Sequence, residues 1–333
     1  MKHNYPAFKD IYAMDNLYHA WHKVSLGKSA KSSILNFYRN LDENLVSIAD
    51  SLKTGNYKPG PYNSFLIKDP KERIISASPV RDRVVQHAIM NYYEQVFDRH
   101  LIFDSYACRV GKGTHKAVLR AFHFAKSAKY FLKMDVRKYF DSIDHATLKF
   151  LLTKIIKDKA VLELFYIIID SGNACSDKGL PIGNLTSQFF ANYFLSGFDH
   201  YCKEQRHVRR YIRYMDDILI FSDSKDELKD LYATAVSYTE EKLKLFLKPP
   251  VLGLVTAGAP FLGFLIKSSG IYLQKKTKRR YKSRIAEIEY KRKKGLFTEL
   301  EAGRRTESVT SHLLLARALK FRNTVLHGRV LGV

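Results

Sequence analysis

The stretch RRYIRYMDDILIFSDS, residues 209–224, places two adjacent carboxylates, Asp216 and Asp217, between flanks rich in β-branched and aromatic residues. Such flanks read as the two strands of a hairpin, and a charge among buried strands is costly unless it is compensated. A third carboxylate, Asp135, closes another apolar run, YFLKMDV. Two strands that each carry an Asp at one end can meet in a single sheet, and carboxylate oxygens gathered there suit hard cations such as Mg²⁺. Two such ions roughly 4 Å apart stabilise the attacking and leaving oxygens of a phosphoryl transfer. An Asp pair on its own also serves as an ordinary turn, so the surroundings decide between the two readings.

Holding such strands together takes a sizeable scaffold. The chain has 333 residues, too many for one small domain and suited to two or three subdomains. Its hydrophobic content of 46% is ordinary for a globular protein. Lys and Arg number 56 against 33 Asp and Glu, a net charge of +23, and that surplus points to a polyanionic partner, nucleic acid foremost. Cys108, Cys175 and Cys202 form no C-x-x-C pair, so neither a zinc site nor a disulfide framework is expected. The N-terminal MKHNYPAFKD is polar, and the apolar run VLELFYIII is too short to span a bilayer. A cytoplasmic protein with no membrane partner is the expectation.

Periodicity supplies the elements. Residues 1–55 read as helical, with SSILNFYRNLDENLVSIADSLKTG one amphipathic helix capped by Gly55. Its stripe of Ile34, Leu41 and Leu45 suits either a core face or a docking patch. The prolines of NYKPGPYNSF break that helix, and SFLIKDPKERIISASP alternates like a hairpin with DPKE at its tip. A helix follows Pro79, then the short strand ending at Asp135, one or two helices over HATLKFLLTKIIKDKAVLELFYIIIDSG, and a glycine-punctuated loop leading into a helix at GLPIGNLTSQFFANYFL. After the DD hairpin come a helix over SKDELKDLYATAVSYTEEKLKLF, strands at PFLGFLI and GIYLQ, and a basic, mostly helical remainder.

Several of these blocks together resemble the reverse transcriptases. YMDD followed by ILIF is similar to their catalytic hairpin, and FLKMDVRKYFDSIDH to their other metal-binding segment. FLIKDPKERIISASPVRDRVVQHAI resembles the fingers, FDSYACRVGKGTHKAV the block after it, GLPIGNLTSQFFANYFL the loop and helix beneath the nascent base pair, and PFLGFLI the primer grip. The blocks run in family order over residues 60–270. Where group II intron and retron enzymes usually carry QG…SP, this chain has Ile182 in place of the Gln and Gln188 in place of the Pro. That pattern resembles the enzymes of diversity-generating retroelements, which copy a template-repeat RNA with frequent errors at adenine.

The resemblance implies an α+β right-hand polymerase. Its divisions are an N-terminal helical extension at 1–60, fingers at 61–130, a first palm segment at 131–150, fingers/palm helices at 151–180, palm at 181–273 and a basic helical thumb at 274–333. No maturase, endonuclease or RNase H region is expected after the thumb. Asp135, Asp216 and Asp217 would be catalytic ligands for two Mg²⁺ ions (or Mn²⁺), with the Val136 carbonyl as a further ligand. Asp141 and Asp144 read instead as turn and helix N-cap. Lys68 and Arg73, at the fingers hairpin, match positions that hold the dNTP triphosphate, with Lys71 a substitute for Lys68. Phe140 matches the gate that excludes a ribose 2′-OH, Ile182, Gly183 and Gln188 shape the templating pocket, and Lys248 matches a late-palm lysine at the nucleotide.

Lys275, Lys276, Lys278, Arg279, Arg280, Lys282 and Arg284, with Tyr281 and Tyr290 interleaved, would track the phosphates of the RNA template and the primer/cDNA duplex. A small basic helical oligomeric accessory protein is the implied protein partner. Other bacterial reverse transcriptases (defence-associated or group II-like), a non-catalytic RNA-binding scaffold and a carboxylate nuclease are the alternatives.

Overall fold

The structure, a computed structural model, describes residues 7–67, 72–172 and 176–330. It divides into two compact units, one of Met1–Ile102, Arg137–Tyr201 and Tyr238–Phe246, the other of Phe103–Val136, Cys202–Ser237 and Leu247–Val333. From the N-terminus come α1 (Phe8–Ile11), α2 (Met14–Ser25), α3 (Ser32–Arg39), α4 (Leu41–Lys53), the hairpin β1 (Asn63–Ile67) and β2 (Arg73–Ala77), and α5 (Val80–Arg99). α6 (Thr114–Ala125), β3 (Tyr130–Asp135), α7 (Tyr139–Ser142), α8 (His145–Ile155), α9 (Lys159–Asp170), α10 (Leu185–Phe194) and α11 (Ser196–His200) follow. The rest is β4 (Tyr211–Tyr214), β5 (Asp217–Ser222), α12 (Lys225–Leu243), β6 (Val251–Leu254), β7 (Ala259–Phe261), β8 (Phe264–Lys267), β9 (Gly270–Leu273), α13 (Lys275–Lys293), α14 (Glu299–Ser311) and α15 (Leu319–Val330). No described helix is long and apolar enough to cross a membrane.

The helix expected over residues 32–55 is two. Asn40, at φ −123° and ψ 48°, ends α3 and precedes α4, a break that the low helix propensity of Asn favours. The break lets Phe37 stack on Trp21 at 5.0 Å. Ile34 and Leu45 are buried against the long central α5 and its neighbours, so the stripe serves the core and the docking-patch alternative is withdrawn. Deeper in this unit Phe97 of α5 meets Phe165, Phe189, Phe190 and Tyr193 at ring separations of 5.7–6.1 Å.

The second unit is built on a four-stranded antiparallel sheet in the order β4-β5-β3-β6, followed by a three-stranded meander, β7-β8-β9. The edge strand β6 was not read from the sequence. It follows Pro249 and Pro250, which signal a break, yet proline is compatible with an edge strand that has no neighbour on one side. Phe131 and Leu219 of the sheet share one core with Phe261, Phe264 and Ile266 of the meander and with Tyr281 and Ile285 of α13. A single apolar body therefore ties the C-terminal helices to the sheet.

In the first unit the proline-rich turn after α4 is anchored by one buried carboxylate. Asp82, 2% exposed, accepts from the Tyr57 hydroxyl at 2.9 Å and the Gly60 N–H at 2.8 Å. Asp82→Ala leaves the buried Tyr57 hydroxyl and the half-buried Gly60 N–H without their acceptor, which costs about 2 kcal/mol. The expected result is a lower denaturant midpoint at an unchanged m-value; a loss under about 0.5 kcal/mol would contradict this anchoring role.

Candidate active site

Each carboxylate is positioned by strand register. β3 pairs antiparallel with β5 so that Asp135 stands opposite Asp217, and β5 pairs with β4 so that Tyr214 stands opposite Asp217. Met215 and Asp216 form the two-residue turn between them. Met215 takes φ 55°, the left-handed sense a tight two-residue hairpin requires and a mild cost for a side chain other than glycine. Arg213 offsets that cost from below. Its side chain is completely buried and its Nη1 donates to the Met215 carbonyl at 2.9 Å. The β4 edge is also covered, because Arg213 N–H donates to the Asp104 carbonyl and its own carbonyl accepts from Tyr106 N–H, both at 3.0 Å. The Asp104 carboxylate is in turn held by Arg120 at 2.8 Å and Lys203 at 2.9 Å.

Two lysines compensate the acidic cluster. Lys248 places Nζ 2.5 Å from Asp135 Oδ1, and its backbone N–H donates to the Asp135 carbonyl at 2.8 Å. Lys133 lies two residues before Asp135 on β3, hence on the same face, and places Nζ 3.0 Å from Asp217. Burial pushes the Asp217 carboxyl up to about 6; the Lys133 ammonium pulls it down, and the charges of Asp135 and Asp216 push it up. Asp217 Oδ1 is buried and lies 3.0 Å from the same Lys133 ammonium, out of line for a hydrogen bond. Hard anionic oxygens gathered at a largely buried strand junction suit a divalent cation, which Asp135, Asp216, Asp217 and the Val136 carbonyl would hold. Among the described residues no three acidic, His or Cys side chains converge on one point. Lys133 and Lys248 each occupy one carboxylate, so metal ligation and these ion pairs are alternatives.

The first unit carries a second array, held by backbone hydrogen bonds. Ser76 N–H of β2 donates to the Ile182 carbonyl at 2.8 Å, and Leu180 N–H donates to the Phe140 carbonyl at 2.8 Å. The fingers-like hairpin, the 179–184 loop and α7 are thereby joined. Gly183 takes φ +133°, and a Cβ there would lie 2.7 Å from the Ser76 carbonyl oxygen, so only glycine allows the loop to approach β2 this closely. Behind the loop Asn184, fully buried, donates to Tyr62 at 2.7 Å.

Of the residues singled out from sequence, Asp135, Val136, Asp216, Asp217 and Lys248 fall in the second unit, and Arg73, Phe140, Ile182, Gly183 and Gln188 in the first. Lys68 and Lys71 lie outside the described residues. Arg73 is exposed opposite Ile67 in the hairpin, Phe140 and Ile182 are half-buried, and Gln188 is exposed one turn into α10. Asp144 is the N-cap of α8, accepting from Thr147 N–H at 2.9 Å. Lys275, Lys276, Lys278, Arg279, Arg280, Lys282 and Arg284 are all exposed on α13, while Tyr281 is buried beneath them. Sequence reasoning missed Lys133 and Arg213. The period of two along YFLKMD was a usable signal for Lys133; for Arg213 the only hint was a charge inside an apolar strand.

Comparisons with known proteins were made on sequence and on structure. The profile of the family "Reverse transcriptase (RNA-dependent DNA polymerase)" matches residues 65–264. Group II intron-encoded protein LtrA of Lactococcus lactis subsp. cremoris is 27% identical over 169 residues, 48% of this chain and 28% of that protein. The putative COX1/OXI3 intron 1 protein of Saccharomyces cerevisiae is 25% identical over 170 residues, 48% of this chain and 20% of that protein. These matches therefore span under a third of either relative's length. Among solved structures, apo telomerase from Candida tropicalis superposes with a TM-score of 0.51 at 14% identity, covering 82% of this chain and 62% of that one. That likeness shows a right-hand polymerase fold.

The Asp217 environment makes a pH prediction for the metal-free protein. Its carboxyl, raised from 3.8 to about 6 in the fold, keeps a proton that the unfolded chain releases. The stability this contributes is complete below pH 3.8 and is lost as pH rises through about 6. Relative to Asp217→Asn, the wild type should lose on the order of 3 kcal/mol across that window. Denaturant melts of both proteins in a chelator measure the difference, and a pH-independent difference would contradict the assignment.

Proposed function

Because the chain belongs to the reverse transcriptase (RNA-dependent DNA polymerase) family, we propose that it copies an RNA template into DNA by adding dNTPs to a primer 3′ end. The observation that carries this reading is the register that sets Asp135 opposite Asp217, with Asp216 in the adjoining turn. The primer hydroxyl attacks the dNTP α-phosphorus and pyrophosphate leaves. Divalent ions, Mg²⁺ foremost and Mn²⁺ as a substitute, would supply Lewis-acid stabilisation of the attacking and leaving oxygens when bound by the three aspartates and the Val136 carbonyl.

The chain's own residues do the rest. Lys68 and Arg73 bind the triphosphate, the Arg as a bidentate fork. The Phe140 ring leaves no space for a 2′-OH and so selects deoxynucleotides. Lys248, which pairs with Asp135, is in this reading the group that holds or donates a proton at the departing pyrophosphate. The exposed cations of α13 from Lys275 to Arg284 hold duplex phosphates, with counterion release as the source of affinity. The setting is cytoplasmic, and a small basic helical oligomeric accessory protein takes part in priming and template choice.

The finer reading is the enzyme of a diversity-generating retroelement, making adenine-mutagenised cDNA for a target gene. It is supported by Ile182 and Gln188 at the two positions that set such enzymes apart. An apolar side chain at 182 cannot make the hydrogen bonds an amide makes, so discrimination at the templating base weakens. A group II-like enzyme is the second reading, favoured by the 27% identity to LtrA.

Asp135→Asn and Asp216→Asn are expected to lower dNTP incorporation by at least ~10³-fold while RNA affinity changes by less than about threefold, because ligation needs anionic oxygen and duplex affinity comes from the Lys and Arg side chains. Primer extension alongside filter binding measures both, and near wild-type extension by either variant would refute the catalytic assignment.

Ile182→Gln separates the finer reading from the group II-like one. Restoring the amide should reduce misincorporation opposite template adenine by about tenfold without slowing extension to the same degree. Sequencing of cDNA made by both proteins on one template gives the error rates; an unchanged adenine error rate would remove Ile182 as the cause.

A further inference from the structure

Position 133 stands where the apolar core of the second unit ends and the carboxylates begin. Phe131, Lys133 and Asp135 follow one another along one face of β3. The register sets Leu219 of β5 and Val251 of β6 on either side of Lys133. Phe131 and Leu219 are buried in the core shared with the meander, and an apolar side chain at 133 would extend that core. A lysine there lays its stem against aliphatic neighbours and gives up rotamer freedom, and lysine is among the residues least often buried. Packing alone gives no reason for the charge.

The reason lies at Asp217. Lys133 Nζ is 3.0 Å from each of the two Asp217 carboxylate oxygens, and among the described residues Asp217 is its only ion-pair partner. Both side chains are 20% exposed. The contact at Asp135 is of another kind. Lys248 is 40% exposed and comes from the segment that links α12 to β6, so its side chain can withdraw into solvent. Lys133 belongs to a strand paired on both sides, and its ammonium stays beside the carboxylates whichever oxygen it touches. With Asp217 turned onto Lys133 and Asp135 onto Lys248, the acidic side chains among the described residues do not converge on one point. Convergence on a divalent ion requires Asp217 to give up part of its contact with a cation that remains close by.

We propose that Lys133 is a positioning residue that sets the strength of divalent-ion binding through Asp217: its ammonium orients this carboxylate and opposes a dication at the same oxygens. The cluster then binds an ion more weakly than three unopposed carboxylates would. Like charges a few ångströms apart repel strongly at the effective dielectric of a partly buried site, and salt screens such pairs little. The same ammonium offsets the mutual repulsion of Asp135, Asp216 and Asp217, so the hairpin holds its register without an ion. The inference rests on the reading of these three aspartates as divalent-ion ligands.

The probe is Mn²⁺, titrated into the full chain without nucleotide, with free ion followed by electron paramagnetic resonance. Wild type is compared with Lys133→Met, Lys133→Gln and Lys133→Arg, and Asp216→Asn reports whether the ion sits at the cluster. Thermal midpoints are measured in chelator and at saturating Mn²⁺. Lys133→Met and Lys133→Gln should bind Mn²⁺ about tenfold more tightly than wild type. Lys133→Arg, which keeps the charge, should stay within about threefold, and Asp216→Asn should lose the ion. In chelator the two neutral variants should melt below wild type, and saturating Mn²⁺ should raise their midpoints by more than it raises the wild type's. A lysine that served packing alone would give the reverse, a loosened strand and weaker ion binding. Unchanged or weaker Mn²⁺ affinity in the neutral variants, tightening in Lys133→Arg equal to theirs, or neutral variants that stay unfolded even with Mn²⁺ would each overturn the inference. The reading of the cluster as an ion site survives any of these as long as Asp216→Asn loses the ion; Mn²⁺ binding indifferent to Asp216→Asn would overturn both.

Discussion

The second unit depends on one pairing, that of β3 with β5, which sets Asp135 and Asp217 opposite each other. Antiparallel register is all-or-none at this point. A slip by one residue would turn the aspartates to the other face and the apolar residues of both strands out of the core. Burial of Phe131, Leu132, Ile218, Leu219 and Ile220 therefore enforces the carboxylate geometry. The same burial raises the cost of the negative charge, and Lys133 and Lys248 offset it at the two strand ends. Removing Lys133 would take away the ammonium that holds the Asp217 carboxyl down against burial and its acidic neighbours.

The array in the first unit rests on a different constraint. Phe140, Ile182 and β2 are connected through main-chain hydrogen bonds, so their relative placement tolerates side-chain change. The exception is Gly183, whose φ of +133° and contact with Ser76 leave no space for a Cβ. Variation at 182 can consequently change the chemistry presented at the loop while the loop path stays the same.

The C-terminal helices distribute charge along their length. In α13 seven exposed cations run from Lys275 to Arg284; beyond them Glu287 and Glu289 are followed by Lys291, Arg292 and Lys293, and Arg292 links α13 to α14 through Glu289 and Glu299. Tyr281 and Ile285 on the inner face join the same core as the meander.

From sequence alone came the kinds and order of the elements, the nucleic-acid expectation, and the three aspartates. These follow from local rules: alternation for strands, a 3.6-residue period for helices, turn residues between them, and a charge surplus that needs no coordinates to count. The N-cap role of Asp144 was legible for the same reason. The division of the helix at Asn40, edge strand β6 after two prolines, the pairing of Lys133 with Asp217, and the burial of Arg213 beneath Met215 were decided by tertiary packing. Each depends on which residues distant in sequence arrive alongside, and neither propensity nor spacing carries that information. The Arg292 bridge belongs with these, because Glu289 and Glu299 are 10 positions apart in sequence and meet at one guanidinium only when α13 and α14 pack against each other.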